Sequence, residues 1–157
     1  MTLDDLGNLG DFLGAIAVLV TLVYLAIQVR QSSAITRAHT RQSLAESQIN
    51  YLNSRVTDPY LRAVSFKMYS GEELDAEETY ALRVHITAHV RLFENYFAQF
   101  ALGTMTPEDW RAMRQVISNY FDLPAYRHVF SQRAGVWNSD FAVEVNQIFG
   151  EIDAHTA

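Results

Sequence analysis

An uninterrupted apolar run near the start of the sequence limits the possible folds more than any other feature. Residues from Phe12 to Val29 carry no charge, and as a helix they are apolar on every face. At 1.5 Å per residue this helix reaches about 27 Å, close to the roughly 30 Å hydrocarbon core of a bilayer. Core helices of soluble proteins seldom stay apolar on all sides over this length. The run therefore predicts a transmembrane helix over residues 12–29.

Charge is distributed unevenly around this run. Residues 1–29 contain three aspartates and no Lys or Arg, while Arg30, Arg37 and Arg41 follow the run. Basic residues beside a span favour the cytoplasmic side and attract anionic lipid. We therefore expect an outside amino terminus, a cytoplasmic carboxyl-terminal part, and anionic lipid contact by the three arginines. A cleaved signal peptide is the alternative, because Ser32-Ser33-Ala34 loosely resembles a cleavage site, but a signal peptide normally has a basic segment before its apolar run.

Composition argues against several classes of protein. The chain has no cysteine, which excludes a disulfide framework, a thiolate nucleophile and Cys-ligated zinc. Its net charge is −6, with 18 acidic and 12 basic residues and no basic block, so it is not typical of a nucleic-acid binder. The sequence also contains neither a Gly-rich phosphate loop after a strand nor a nucleophile-elbow pattern. We expect a non-enzymatic protein with no cofactor and no nucleic-acid partner.

Helix-start and helix-stop residues divide the rest of the sequence. Short polar side chains that cap helices, prolines at first helical positions and terminal glycines recur at short intervals. They are Asp58-Pro59, Gly71, Asp75 with Glu78, Gly103, Thr106-Pro107, Pro124 and Asn138 or Ser139, with the last helix ending near Phe149. The prediction is an all-α protein with a short amino-terminal segment (1–11), a transmembrane helix (12–29), a juxtamembrane helix (30–57) without a break before Asp58, and a cytoplasmic helical bundle (58–157).

Two stretches carry a resemblance to a family. Residues 15–31 read AIAVLVTLVYLAIQVRQ, and residues 91–96 read RLFENY, followed by Trp110. Together they resemble a group of uncharacterised bacterial single-pass membrane proteins with a C-terminal helical domain. The resemblance covers most of the chain and implies a bacterial inner-membrane protein. It implies no activity.

Residues spaced seven apart form a seam along the predicted first helices. Small residues in a membrane span allow two helices to approach closely, and polar residues in a span favour contact with protein over contact with lipid. Apolar residues that repeat every seven positions are typical of coiled coils. The members are Gly7, Gly14, Thr21, Gln28, Ile35, Gln42, Ile49 and Val56, with Gly10 adding a Gly-x-x-x-Gly pair to Gly14. The seam predicts a homo-oligomer or docking onto other membrane-protein subunits, against the alternative of chance placement. Leu44 and Tyr51 lie off the seam and are predicted to dock the helix onto the bundle.

Two polar groupings on the long helix that follows Asp75 are candidate sites. The first is a polar stripe predicted to be buried, either as an ion pair with amide hydrogen bonds or as a pocket for a small ligand: Arg91, Glu94, Asn95 and Gln99. The second consists of His85, His89 and Glu78, weak metal candidates that have the helical spacing of a three-ligand site. No Glu-x-x-His motif accompanies them, and ordinary histidines are the favoured interpretation.

These observations favour a non-enzymatic, self-associating membrane protein, working as a homo-oligomeric assembly or as an accessory subunit of a larger membrane complex. One alternative is an oligomeric channel or sensor with a pathway lined by the Gly, Thr and Gln residues of the seam. The other alternative is a membrane-tethered domain that binds a small ligand or catalyses a reaction at the Arg91–Gln99 stripe.

Overall fold

The computed structural model describes the backbone of residues 3–156 and the side chains of residues 12–155. Across this described part the fold is all-α, with six helices and no strand, as the sequence predicted. The helices are α1 (Leu3–Thr57), α2 (Pro59–Ser70), α3 (Ala76–Ala101), α4 (Pro107–Phe121), α5 (Pro124–Gln132) and α6 (Ser139–Thr156). The chain divides into two compact units, Met1–His39 and Thr40–Ala157, and their boundary falls inside the predicted juxtamembrane helix.

Local capping sets most of the helix boundaries at the predicted positions. Asp58 accepts hydrogen bonds from backbone N–H groups at the start of α2, and Thr106 does the same for α4. Asp75 and Glu78 form a reciprocal capping box at the start of α3. Gly71 closes α2 in the left-handed conformation with φ of 73°, which a residue with a Cβ rarely adopts.

The last helix is longer than predicted. Instead of ending near Phe149, α6 continues through Gly150 to Thr156. A glycine inside a helix costs about 1 kcal/mol relative to Ala but does not by itself end the helix. Beyond it, Glu151 accepts two hydrogen bonds at 2.7 Å from Arg114 on α4, so the extra turns still bind the bundle.

The first unit contains the apolar run. By length and composition, α1 is able to cross a membrane, and its apolar stretch is wholly exposed. All the side chains described from residue 12 to residue 39 are exposed. A helix from the core of a soluble protein would instead be mostly buried.

The second unit is a helical bundle built around α3, which packs against α2, α4, α5 and α6. Its centre is aromatic. Phe121, for example, makes edge-on contacts with Phe130 and Phe149 at ring-centroid distances of 5.4 and 5.3 Å. The side chains that are 1% exposed or less include Phe93, Ile117, Phe121, Tyr126, Phe141, Val145 and Ile148.

Candidate functional sites

The α1 segment of the second unit, residues 40–57, has two different faces. On one face Leu44 and Tyr51 are buried, at 4% and 9% exposure, which confirms the prediction that they dock this helix onto the bundle. Tyr96 on α3 also donates a hydrogen bond to the Leu44 carbonyl oxygen at 3.0 Å. A neighbouring face is apolar and uncovered, and we call it the exposed seam: Ala45, Ile49, Leu52 and Val56.

Helix geometry separates these two faces. Each residue turns the helix by about 100°, so the four residues of the exposed seam fall within a stripe about 60° wide. The docked face, that of Leu44 and Tyr51, is centred about 120° away around the helix axis. The large residues of the seam, Ile49, Leu52 and Val56, are 55%, 40% and 64% exposed. The bundle therefore uses one face of this helix and leaves a second apolar face open.

Histidine and tyrosine side chains form a buried group where α1, α3, α4 and α5 meet. We call it the His–Tyr cluster: Tyr51, His85, His89, Tyr120 and Tyr126. The Tyr51 ring stacks on His85 and His89, at centroid distances of 4.4 and 3.9 Å. Tyr120 meets the fully buried His89 edge-on at 4.5 Å. These contacts place the docked face of α1 directly against the histidines of α3.

Hydrogen bonds connect three members of the cluster. The Tyr126 hydroxyl lies 2.8 Å from Nδ1 of His89 and 3.3 Å from the Tyr51 hydroxyl. A phenol has a single proton, so Tyr126 donates to one of these neighbours and accepts from the other. Because the three groups come from α1, α3 and α5, the chain of bonds helps to fasten the α1 segment to the bundle.

Burial keeps both histidines neutral at pH 7. Desolvation, and to a smaller extent the charge of the nearby Arg55 guanidinium, lowers the pKa of His89 to about 3 and that of His85 to about 4. Burial also raises the pKa of Tyr51 and Tyr126. Neutral imidazole and phenol groups fit the buried site, because a charged group there would lose its hydration.

The predicted metal candidates do not come together. Glu78 is engaged at the start of α3, where its carboxylate accepts hydrogen bonds from Lys67 Nζ at 2.6 Å and from the Asp75 backbone N–H at 3.0 Å. Among the described residues, no group of three His, Cys, Asp or Glu side chains is placed to hold a metal ion. Within the same part of the chain, Nε2 of both His85 and His89 is buried without a hydrogen-bond partner.

The polar stripe of α3 lies at the surface, which corrects the prediction that it is buried. Arg91 and Asn95 are exposed, and Glu94 and Gln99 are half-buried. The reason is the rotation of α3 about its axis. The helix turns its Phe93 face into the core, and the stripe residues fall on other faces.

The predicted Arg91–Glu94 ion pair does form, and it holds the loop between α5 and α6. Glu94 accepts a hydrogen bond from the Asn138 backbone N–H. Arg91 donates to the Val136 carbonyl oxygen at 3.2 Å, and its guanidinium lies 4.6 Å from the centre of the Trp137 ring. The pair therefore stabilises a surface loop.

An open pocket of about 500 Å³ adjoins this pair. Its lining includes the polar residues Arg91, Glu94 and Asn95 and the apolar residues Ala98 and Leu102. Arg91 and Glu94 already bind the loop, so a ligand here would compete with contacts that stabilise the bundle.

In the first unit, the seam residues satisfy their polar groups locally. Thr21 donates a hydrogen bond to the Ala17 carbonyl oxygen at 2.8 Å, and the Gln28 amide donates to the Tyr24 hydroxyl at 3.0 Å. A Cβ added at Gly14 would meet nothing within 4 Å. The side chains at positions 7 and 10 lie outside those described, so the Gly7 and Gly10 predictions are not addressed by the structure.

The three arginines predicted to contact lipid are all exposed. Arg30 and Arg37 belong to the first unit and Arg41 to the second. Arg41 makes a long ion pair of 3.4 Å with Asp109, and its side chain is still 79% exposed.

Comparison of the chain with family models, curated proteins and solved structures found no match. The resemblance to bacterial single-pass membrane proteins therefore stays a prediction.

Sequence reasoning missed the His–Tyr cluster, although part of its signal was present. Gln48, Tyr51 and Arg55 follow one another at the three- and four-residue spacing of a helix face, on the same face as Leu44. A polar and aromatic face next to an apolar seam indicates two different contacts for one helix.

Proposed function

We propose that this protein is a non-enzymatic, self-associating membrane protein of the bacterial inner membrane. Residues 12–29 would cross the bilayer with the amino terminus outside and the helical bundle in the cytoplasm. The exposed seam is the observation that carries the proposal, because the bundle leaves it uncovered while it buries a neighbouring face of the same helix segment.

The exposed seam has the properties of a helix-pairing surface. Contiguous apolar side chains at a surface commonly mark interaction sites. Fully burying one such side chain contributes about 1.5–3 kcal/mol, so completing the burial of three half-exposed side chains in each of two copies contributes about 5–9 kcal/mol. Association of two free molecules costs an estimated 4–15 kcal/mol. The seam alone is therefore marginal between freely diffusing copies.

Anchoring in one bilayer removes much of this cost. Chains held in the same membrane share depth and orientation, and tethering raises the effective concentration of one seam near another. A modest apolar surface beside an anchor is then sufficient for assembly. The apolar run and the exposed seam thus serve one function, assembly within the membrane.

The anchor is supported by the sequence and by exposure together. The apolar stretch of α1 is uncharged and wholly exposed, so bilayer lipid or other membrane helices would supply its surroundings. Arg30 and Arg37 follow the stretch, in keeping with a cytoplasmic bundle and contact with anionic lipid. A reporter fused to the carboxyl end should be active in the cytoplasm. Activity in the periplasm would overturn the orientation.

Introducing a charge into the exposed seam tests the assembly. We expect the parent to be an oligomer by native mass spectrometry in mild detergent, and Ile49→Glu to shift it to smaller species. Val143→Glu on α6 is the matched control, since Val143 is 58% exposed and lies far along the chain from the seam. A monomeric parent in several detergents and in nanodiscs would contradict self-association.

Gly14→Leu tests the membrane part of the seam separately. The structure leaves open space around Gly14, so leucine fits the single chain and is at home in lipid. Smaller species for this variant would indicate that a partner helix approaches Gly14 closely. An unchanged oligomer would confine the interface to the cytoplasmic segment. Conductance measured in liposomes would favour the channel alternative.

A further inference from the structure

We propose that the exposed seam pairs with a second copy of this chain as a parallel, in-register, two-stranded coiled coil. In this arrangement Arg41 of each chain binds Glu46 of the partner subunit. The proposal rests on the self-association proposed above and specifies its orientation, register and charge contacts.

The seam residues have the composition of a two-stranded coiled coil. In a heptad with positions a to g, position a is occupied by Gln42, Ile49 and Val56, and position d by Ala45 and Leu52. β-Branched residues at a with leucine at d favour two parallel strands. The four apolar members of this set are the residues that the bundle leaves exposed.

Charges beside the seam select the parallel orientation. Arg41 precedes an a position and is a g residue, and Glu46 is the e residue of the following heptad. In a parallel pair each g residue faces the e residue five positions later on the other chain, which brings Arg41 opposite Glu46 of the partner subunit. In an antiparallel pair g positions face g positions and e positions face e positions, so these two charges do not meet. The twofold symmetry of the parallel pair forms the contact twice.

Both charged groups are available for this contact. Among the residues whose side chains are described, Arg41 makes a long, exposed interaction with Asp109, of a kind that contributes little to stability. Glu46 is exposed and accepts a hydrogen bond from the Gln42 amide at 2.9 Å. Formation of the pair therefore exchanges weak contacts within one chain for contacts between chains.

Gln42 fixes the register. It is a polar residue at an a position, where in an aligned pair it faces Gln42 of the partner subunit and the two amides can hydrogen-bond. A shift by one heptad would place each amide against an apolar side chain, which is unfavourable. The same residue thus costs some stability and specifies the alignment.

The short length of the seam requires the common anchor. Residues 42–56 cover about two heptads, fewer than the three or four that usually sustain a coiled coil. Two chains inserted into one membrane in the same direction present these segments in parallel and at the same height. Membrane anchoring and the charge pattern therefore favour the same orientation.

Cysteine scanning in native membranes tests this geometry. The chain has no cysteine, so each introduced thiol is unique. With mild oxidation by copper phenanthroline and oxygen, Ile49→Cys and Val56→Cys should each give a disulfide-linked dimer, because equal a positions face each other in an aligned parallel pair. Asn50→Cys, on the polar side of the same helix, is the control. We expect its yield to be at least about fivefold lower, since a disulfide needs Cβ atoms about 4 Å apart.

Charge exchange tests the ionic contact. Arg41→Glu and Glu46→Arg alone should each weaken the dimer by about tenfold, because two favourable contacts become two repulsive ones. The double variant restores opposite charges and should recover most of the affinity. Recovery is informative, because the double variant does not restore the original Arg41–Asp109 contact within each chain.

The outcomes separate this inference from the proposed function. Disulfides at positions 49 and 56 with charge recovery support the parallel pair. Two results would overturn the parallel seam while self-association stands. One is an oligomer by mass that crosslinks best at position 50. The other is a double charge variant whose dimer affinity is no higher than that of the single variants. A monomeric parent without crosslinks at any tested position overturns both.

Discussion

The His–Tyr cluster predicts a specific dependence of stability on pH. His85 and His89 have a pKa of about 4 and about 3 in the folded chain, because of burial and then of the nearby Arg55 charge. In the unfolded chain both regain the ordinary value of 6.5. Between pH 6.5 and pH 4 the unfolded state therefore binds protons that the folded state does not. The free energy of unfolding must fall as the pH falls through this range, and above it the two histidines contribute no pH dependence.

The size of the effect follows from the same values. Each histidine changes the free energy of unfolding by about 1.4 kcal/mol per pH unit within this range. From pH 6.5 to pH 5 the loss is about 2 kcal/mol for each residue and about 4 kcal/mol for both. A small domain has about 5–15 kcal/mol in total, so this loss is large. The carboxylates of Glu78 and Glu151, whose pKa values are lowered from 4.5, lose their contribution only at lower pH.

Tryptophan fluorescence provides the assay, because Trp110 and Trp137 are buried in the bundle. Denaturant unfolding of the full chain in mild detergent would be followed at pH 7 and pH 5 for the parent and for the double variant His85→Phe/His89→Phe. Phenylalanine keeps an aromatic ring for stacking but cannot be protonated. We expect the parent to lose about 4 kcal/mol more than the double variant between the two pH values. Equal losses in the two proteins would refute the assignment of buried, neutral histidines.

Two further substitutions test other parts of the bundle. Arg91→Ala removes the Trp137 contact and the ion pair to Glu94. Because the Arg91 side chain is 43% exposed, we expect the free energy of unfolding to fall by about 1–2 kcal/mol. A loss above about 3 kcal/mol by thermal melting would indicate a buried pair instead. Tyr51→Ala should lower the free energy of unfolding by about 3–5 kcal/mol, since it removes a buried ring from the His–Tyr cluster. By the same measurement, Ile49→Ala at an exposed position should lower it by less than about 0.5 kcal/mol.

Features determined by neighbouring residues could be predicted from the sequence. The caps at Asp58, Asp75 and Thr106 form hydrogen bonds to residues at most three positions away. The local sequence is therefore sufficient to predict where these helices begin. The docking of Leu44 and Tyr51 was also predictable, because helix periodicity separates them from the seam and each face requires its own contact.

Features determined by distant packing could not be predicted in this way. Apolar and aromatic residues surround the polar stripe on α3, and periodicity alone left open whether Arg91 faced the core or water. Which face of α3 enters the core is decided by the helices that pack against it, and the Trp137 ring that Arg91 contacts lies on a loop far along the chain. The His–Tyr cluster likewise needs Tyr126, which lies 75 residues from Tyr51. Metal ligation was the weaker interpretation of the spacing of His85 and His89, and the spacing alone could not identify Tyr51 of another helix as the ring that stacks on both.

The two features of the α1 segment depend on each other. A helix can rotate about its own axis, and only contacts on one face fix which other face remains open. Leu44 and the stacked ring of Tyr51 supply those contacts, so the His–Tyr cluster determines the direction in which the exposed seam points. If the seam is the surface that binds a second copy, loss of the cluster should weaken assembly even though none of its residues touches the partner. Acidification below about pH 5 should act in the same way, because protonation of the two histidines favours release of the segment.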